Sequence, residues 1–416
     1  MAVVRPFKGV VPKQELAEQV ACLPYDVMNR VEAKQMAEGN PNSFLHIVRS
    51  EIDLPDSVGD YDKLVYETAR KNLDKFISDG IMNQDQEPIY YIYRQLMNGR
   101  VQTGLVACTS IDDYINDVIK KHEFTRPTKE VDRINNFDYC DANTEPVFLT
   151  YRKNDEINHI VNNWIKFHDP LYNFTSDDAI THIFWKLDDQ AAVKRIAEIF
   201  DGIEYLYIAD GHHRSASSVK VGLKRREEFP NYDGSEEFNY FMAVIFPDED
   251  LFIMDYNRVV KDLNGRSVEA FKTEIAEKFV VEKVTQEGPY KPMARATFGM
   301  YLDGAWYKLT AKEGTFDAKD PVDRLDVSIL QKNLLQPVLG IDDPRTDNRI
   351  DFVGGIRGLK ELEKRVNNGF AVAFSMYPTT MDDLIDIANA GEVMPPKSTW
   401  FEPKLRSGLF VHKLND

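Results

Sequence analysis

The chain has 416 residues, of which 43% are hydrophobic and 29% are charged, proportions that are typical of a globular protein and argue against disorder. Its formal net charge of −17 argues against sequence-independent DNA binding, which needs a basic surface, so we expect no nucleic-acid partner. Three cysteines without CxxC spacing argue against a disulfide framework or a zinc module. The opening segment lacks a signal-peptide core, and no run approaches the roughly 20 apolar residues of a spanning helix. We therefore expect a cytoplasmic protein without a membrane partner.

The first half of the chain alternates helical and strand patterns, which predicts a mixed α/β fold. Residues 61–79 carry apolar side chains at three- and four-residue steps and end at Gly80, as an amphipathic helix does. Two strand-like runs then flank Asn98-Gly99, a dipeptide typical of a tight hairpin. Further predicted elements are strands at 145–150 and 181–187 and a helix at 189–200.

The second half begins with a strand at 204–209, which ends at a turn and continues into a helix that stops before Pro230. Later predicted elements are a buried strand at 238–246, a helix at 324–340, a strand at 369–378 and a helix at 381–391. We expect two regions: residues 1–250 as a catalytic core with insertions, and residues 251–416 as a C-terminal α/β region that completes the site.

The first chemical motif is Asp210-Gly211-His212-His213-Arg214, at the point where a strand meets a helix. Gly211 permits a backbone angle or a close approach that other residues resist. The first turn of a helix exposes free N–H groups with a partial positive charge, so it is a natural anion site. The histidines and Arg214 add donors, and arginine suits bidentate recognition of phosphate. The motif predicts a phosphate site; the alternative is a capped turn with solvated or packed histidines.

The second motif is HEFT at 122–125, inside a basic stretch of an otherwise acidic chain. Glu123 is a candidate to accept the proton as a hydroxyl oxygen attacks phosphorus, the usual duty of a carboxylate base in kinases. His122, Thr125 and Arg133 are candidates to hold substrate or phosphate. The alternative is a solvated charged surface, since acidic residues interleave with the basic ones.

Together the two motifs resemble known families. ADGHHR at 209–214 resembles the phosphate-binding signature of the ParB/sulfiredoxin-like superfamily. With the upstream HE pair, it resembles free serine kinases, which convert L-serine into O-phospho-L-serine. Nearly end to end, the chain resembles a large bacterial family long catalogued only as a domain of unknown function. The segments that carry this likeness are RPFKG at 5–9, PYDV at 24–27, HEFT, ADGHHR and MPPKSTWFEPK at 394–404.

The resemblance implies an α/β (α+β mixed sheet) fold with a ParB/sulfiredoxin-like core, large insertions and a C-terminal extension. It also implies roles for the motif residues. Glu123 would be the base that activates serine, and His212, His213 and Arg214 would contact the transferred phosphate or the substrate. Asp210 would orient the site or help to hold Mg²⁺. Pyrophosphate, rather than a nucleotide, is a donor that the resemblance also implies.

Two other segments complete the candidate set. Lys397, Ser398, Thr399 and Lys404 lie in a proline-bounded segment that suits a phosphate contact or, as the alternative, an ordered surface loop. Asp26, in PYDV, is a second carboxylate that would suit the amino group of a substrate.

These observations predict a kinase that phosphorylates L-serine from pyrophosphate or a nucleotide, with Mg²⁺ to neutralise charge on the transferred group. No Walker-type or protein-kinase glycine motif is present, which fits an unrelated kinase fold and equally fits a protein without a nucleotide. Alternatives are a phosphate-ester hydrolase, a nucleotide-binding ParB-like module and a sulfiredoxin-like enzyme. The acidic charge disfavours the second alternative, and the lack of a cysteine in the turn disfavours the third. The sequence leaves the oligomeric state open.

Overall fold

The computed structural model describes residues 1–125 and 127–415, so Arg126 of the basic stretch lies outside the described residues. The chain forms two compact units: Met1–Leu251 with Pro403–Asp416, and Phe252–Glu402. The second region was expected to span residues 251–416, whereas Pro403–Asp416 groups with the first unit. It does so because its final strand pairs with an early one and Val411 bridges Val10.

The strands and helices are numbered in chain order. The strands are β1 (Val4–Arg5), β2 (Val10–Pro12), β3 (Met82–Gln84), β4 (Tyr90–Met97), β5 (Arg100–Ser110), β6 (Ile119–Lys120), β7 (Ala142–Asn143), β8 (Val147–Tyr151), β9 (Tyr172–Thr175), β10 (Thr181–Leu187), β11 (Leu206–Asp210), β12 (Tyr240–Pro247), β13 (Tyr256–Val260), β14 (Phe279–Lys283), β15 (Thr297–Leu302), β16 (Ala305–Ala311), β17 (Ile350–Gly354), β18 (Val372–Ser375) and β19 (His412–Lys413). The helices are α1 (Ala17–Val20), α2 (Arg30–Ala37), α3 (Leu45–Val48), α4 (Lys63–Ser78), α5 (Ile111–Ile115), α6 (Pro127–Cys140), α7 (Asp155–Phe167), α8 (Gln190–Phe200), α9 (His212–Glu228), α10 (Val268–Ile275), α11 (Asp326–Leu330), α12 (Lys360–Asn367) and α13 (Met381–Asn389).

The first unit is built on a large mixed sheet in the order β6-β11-β8-β12-β5-β4-β10-β9, with β1 also paired to β5. β11 runs parallel to β6 and β12 parallel to β8, whereas the other pairs are antiparallel. Ile92, Leu149 and Ile208 from three of these strands share one core with Ile196 of α8. The predicted α/β (α+β mixed sheet) class is confirmed.

Several predicted elements of the first unit are confirmed, because local signals fix them. The predicted helix at 61–79 is α4, with the Asp62 side chain accepting from the Leu64 N–H at its start. Gly80 follows with a φ of 66°, the left-handed geometry that ends many helices. The predicted hairpin is β4 and β5, joined where Asn98 and Gly99 have φ angles of 51° and 79°.

The structure adds one helix that was not predicted and corrects one expectation. Lys129 and Arg133 of the basic stretch at 120–133 lie in helix α6, whose first residue is Pro127, a position that proline favours because its missing N–H would be unpaired there anyway. The single helix predicted at 324–340 is instead the short α11 followed by a π-helical segment, Gln331–Leu335. Wider helical turns of this kind are not visible in a 3.6-residue pattern.

The second unit contains a six-stranded sheet in the order β14-β16-β15-β18-β13-β17, with every pair antiparallel. Val259, Trp306 and Val353 form its core with Leu362 of α12. In neither unit is any described helix both long and apolar enough to cross a membrane.

Candidate functional site

The turn between β11 and α9 requires glycine for two reasons. Gly211 has φ 93° and ψ 32°, a left-handed conformation that side chains resist. A Cβ atom built there would also lie 3.0 Å from Nε of Arg214. The 17-residue helix α9 therefore begins directly after a tight turn, with its first N–H groups at the end of the strand.

Asp210 stands between two cations. Its Oδ2 lies 3.4 Å from Nζ of Lys404 and 3.4 Å from Nη2 of Arg214. Burial alone would raise the pKa of Asp210, but Lys404 and then Arg214 hold that pKa below its usual range. Arg214 itself is buried and also donates to the carbonyl oxygen of Pro146. The Arg214 guanidinium thus lies in the interior of the protein, where it contacts the Asp210 carboxylate.

His122 and His212 form a buried pair. Their ring centroids are 4.4 Å apart and nearly perpendicular, and neither ring nitrogen of His122 has a hydrogen-bond partner. Burial lowers the pKa of His122 to about 4, which Asp210 only partly offsets. Burial, reinforced by the neighbouring His122, also holds the pKa of His212 well below its usual value. Both imidazoles are therefore neutral near pH 7.

The neutral His212 ring connects the two sequence motifs. Its Nε2 accepts the backbone N–H of His122 at 3.5 Å, so the ring proton resides on Nδ1. Nδ1 lies 3.8 Å from Oε2 of Glu123, whose side chain is 47% exposed. Half-exposure leaves the Glu123 carboxylate accessible to a substrate, and the carboxylate lies near the first turn of α9. The fourth residue of the turn, His213, is half-buried.

Thr125 lies beside these residues but contacts helix α6. Its hydroxyl donates to Oε2 of Glu130 at 2.6 Å, and Glu130 also pairs with Lys220 of α9. Burial would raise the pKa of Glu130, but the hydrogen bond from Lys220 lowers it overall. This contact ties the HEFT segment to α6 and α9.

Arg133 is buried in an ion-pair network with Asp132 and Glu145. Its Nη1 donates to Oε2 of Glu145 at 2.9 Å, and its Nη2 donates to Oδ2 of Asp132 at 2.8 Å. Its guanidinium carbon lies 3.9 Å from the centroid of the Tyr25 ring. Burial opposes the charge, yet Asp132 and Glu145 raise the pKa of Arg133 above its usual value. The structure brings Arg133 to protein carboxylates rather than to the turn.

Tyr25 and Glu145 are residues that sequence reasoning missed. The Tyr25 hydroxyl is buried without a hydrogen-bond partner, and the Tyr25 N–H donates to Oε1 of Glu145 at 3.0 Å. Burial raises the pKa of Tyr25, and the charges that act on it include Arg214 and Asp26. The PYDV motif was therefore informative, but its buried tyrosine was overlooked beside the exposed Asp26.

Lys397, Ser398 and Thr399 belong to the second unit, whereas Lys404 belongs to the first. Lys397 is exposed with a φ of 62°, and its ammonium lies 5.5 Å from the centroid of the Tyr256 ring. The buried Ser398 donates its hydroxyl to the carbonyl of a preceding proline at 2.6 Å, and Thr399 is half-buried. Among these four residues, Lys404 is thus the one with a contact to Asp210.

A magnesium ion at this site would need oxygen ligands, carboxylates above all. Within residues 1–125 and 127–415, no cluster of three His, Cys, Asp or Glu side chains has the arrangement of a metal site. Magnesium is nevertheless commonly held by one or two carboxylates together with the phosphates of a substrate. The contacts of Asp210 with Lys404 and Arg214 both engage Oδ2, so its Oδ1 fits that single-carboxylate mode.

The chain thus forms two α/β units, and in the first of them the N-terminus of α9 lies near the half-exposed Glu123. The family described as "Protein of unknown function (DUF1015)" matches residues 4–328, and the chain belongs to this family. No curated protein matches it.

Several solved structures are distantly similar to this chain. A free serine kinase in complex with AMP is 12% identical, with 71% of this chain and 86% of that chain covered and a TM-score of 0.36. SbnI with C-terminal truncation from Staphylococcus aureus is 11% identical, with 73% and 85% covered and a TM-score of 0.38. A conserved hypothetical protein from Pyrococcus furiosus is 14% identical, with 73% and 93% covered and a TM-score of 0.35. At these TM-scores the likeness assigns no activity.

Proposed function

We propose that the protein is a kinase that transfers a phosphoryl group from pyrophosphate or a nucleotide to the hydroxyl of L-serine. The observation that carries this proposal is the meeting of a half-exposed carboxylate, Glu123, with the N-terminus of α9 through the neutral His212. The choice of L-serine as acceptor and of pyrophosphate or a nucleotide as donor rests on the resemblance of the HEFT and ADGHHR motifs to free serine kinases.

The phosphoryl group would bind at the first turn of α9. Free N–H groups and the helix dipole favour an anion there. Asp210 has two cationic neighbours, Lys404 and Arg214, so the turn also carries positive side chains. Lys404, with its side chain 16% exposed, is the better placed of the two to face a ligand, and the half-buried His213 adds a further donor.

Glu123 would act as the general base. The serine hydroxyl would give its proton to Glu123 as its oxygen forms a bond to phosphorus, and the bond from phosphorus to the leaving phosphate oxygen would break. His212, with its proton on Nδ1, would keep the carboxylate oriented. Because the imidazole is neutral, it would not lower the basicity of Glu123 as a full positive charge would.

Magnesium would enter with the phosphoryl donor and be held in part by Asp210. When bound, it would neutralise charge on the phosphates of the donor. The assignments of Asp26 to the amino group of serine, and of Thr125, Arg133 and Lys397–Thr399 to substrate or phosphate, stay predictions. Arg214 would act through Asp210 and the geometry of the turn.

Phosphorus NMR on the purified protein with L-serine and Mg²⁺ tests the proposal. Pyrophosphate, ATP and ADP would be supplied in separate samples. We expect an O-phospho-L-serine resonance with at least one donor. Release of inorganic phosphate without phosphoserine would indicate a hydrolase instead, and unchanged donors in all samples of folded protein would refute the proposal.

A further inference from the structure

One buried arginine differs from all the others. In the part of the chain that the structure describes, four arginines are less than 9% exposed: Arg133, Arg214, Arg258 and Arg406. Three of them form an ion pair with a carboxylate. Arg258, on β13 of the second unit, forms none. A buried charge without a counter-charge is costly, so its retention needs a reason.

The partners of Arg258 are all uncharged. Nη1 donates to the carbonyl of Tyr256, and Nη2 donates to the carbonyl of Lys397 at 3.0 Å. The guanidinium carbon also lies 5.5 Å from the centroid of the Phe352 ring. Burial lowers the pKa of Arg258 to about 10, which still leaves it protonated at neutral pH. These contacts fix the position of the guanidinium, and they leave its charge uncompensated.

Arg258 opens onto a cavity of about 310 Å³ within the second unit. Just over half of the lining residues are apolar, among them Val327, Leu335, Ile350, Phe352, Pro395 and Pro396. This volume lies at the lower end of the range for small-molecule pockets, which commonly combine apolar walls with a few placed polar groups. The MPPKST segment thus supplies both the proline wall and the Lys397 carbonyl that orients Arg258.

The acidic groups of the cavity have other partners. Asp343 pairs with Arg345 at 2.9 Å, and Asp342 accepts a hydrogen bond from Gln336 at 3.3 Å. Neither forms an ion pair with Arg258. The two aspartates disfavour a doubly charged phosphate, whereas a monocarboxylate brings only the single negative charge that Arg258 can pair with.

We propose that this cavity is a binding site for a small organic monocarboxylate, with its carboxylate on Arg258 and its apolar body against the proline and aliphatic wall. The two carbonyl contacts engage two of the five guanidinium N–H groups, so others can donate to a planar carboxylate. This site lies in the second unit and is independent of the proposed phosphoryl transfer.

Two probes of nearly equal shape test the proposal on the unmodified protein. Benzoate carries the charge and an apolar ring, whereas benzamide carries the ring alone. We expect benzoate to bind in titration calorimetry or ligand-observed NMR at least about tenfold more tightly than benzamide. Equal affinities, or no benzoate binding at about 10 mM, would overturn the proposal.

Variants then locate the binding. Arg258→Gln, which keeps a donor for the carbonyls, should weaken benzoate binding at least about tenfold. The matched control is Arg345→Gln, because Arg345 is 53% exposed at the same cavity and already paired; it should retain affinity within about twofold. Val327→Phe, which fills the cavity and keeps Arg258, should also abolish binding. If Arg258→Gln does not fold, the Val327→Phe variant and the comparison of benzoate with benzamide test the site. Unchanged benzoate affinity in a folded Arg258→Gln or Val327→Phe protein would refute the site.

Discussion

Arg214 in the first unit and Arg258 in the second are both buried, but they differ in whether a carboxylate pairs with them. In the first unit, Arg214 supports Asp210, which also contacts Lys404, so the turn before α9 contains its own counter-charge. In the second unit, Arg258 meets only carbonyl oxygens and an aromatic ring. A buried charge that is paired within the protein is already compensated, whereas an unpaired one can form an ion pair with a bound ligand. The first arrangement suits the positioning of reactants, and the second suits the capture of an anion.

The largest expected effect is on turnover, and it comes from removing the proposed general base, Glu123. Glu123→Gln keeps the size of the side chain and removes the base, so we expect turnover to fall by about two to four orders of magnitude. Donor binding should persist, because the α9 turn is unchanged. Glu277→Gln, an exposed substitution in the second unit, is the control. Undiminished phosphoserine formation by Glu123→Gln would remove Glu123 from the role of base.

A matched pair of substitutions tests the charge comparison directly. Arg214→Met would leave Asp210 and the Pro146 carbonyl without their buried partner, so we expect a loss of about 3–5 kcal/mol in the free energy of unfolding. Arg258→Met would remove an uncompensated charge along with two hydrogen bonds, so its net effect should be within about 1 kcal/mol. Urea denaturation of both variants measures the difference. Equal losses would mean that Arg258 is as fully compensated as Arg214.

The buried histidine pair should give the first unit a pH dependence. Because folding lowers the pKa of His122 to about 4, the unfolded chain binds the proton at higher pH than the folded chain does. The free energy of unfolding should therefore decrease as pH falls from about 6.5 to 4, by about 3 kcal/mol at most for this group. His122→Phe should flatten that part of the profile. A variant with the slope of the wild type would show that His122 does not titrate as the structure implies.

The smallest expected effect concerns the cation that faces the proposed donor. Lys404→Met should raise the KM for the phosphoryl donor about tenfold, with a smaller change in kcat, because a charge-assisted contact to phosphate is lost. Lys194→Met on α8, where the lysine side chain is 81% exposed, should leave KM unchanged. Steady-state kinetics with each donor would show the split. A fall in kcat at constant KM would instead mean that Lys404 stabilises the transition state and not the bound donor.

Local sequence signals were sufficient for much of the first unit. The Asn98-Gly99 turn, the Gly80 stop and the strand-glycine-helix order around Gly211 each have a mechanism that acts within a few residues. The start of α6 escaped notice because charge dominates its sequence, although Pro127 was a usable signal. The π-helical segment Gln331–Leu335 had no comparable signal.

The sequence by itself determined the mixed α/β class and the two motifs, and it predicted that the motif beginning at Asp210 stands where a strand meets a helix, because these features depend on spacing and residue type. Only the tertiary structure decided which charges meet. It paired Asp210 with Lys404, 194 residues away in the chain, and it buried Arg133 among carboxylates although its sequence context looks exposed. It also left Arg258 without an acid. Burial and pairing of charges depend on contacts between distant segments, which no local pattern records.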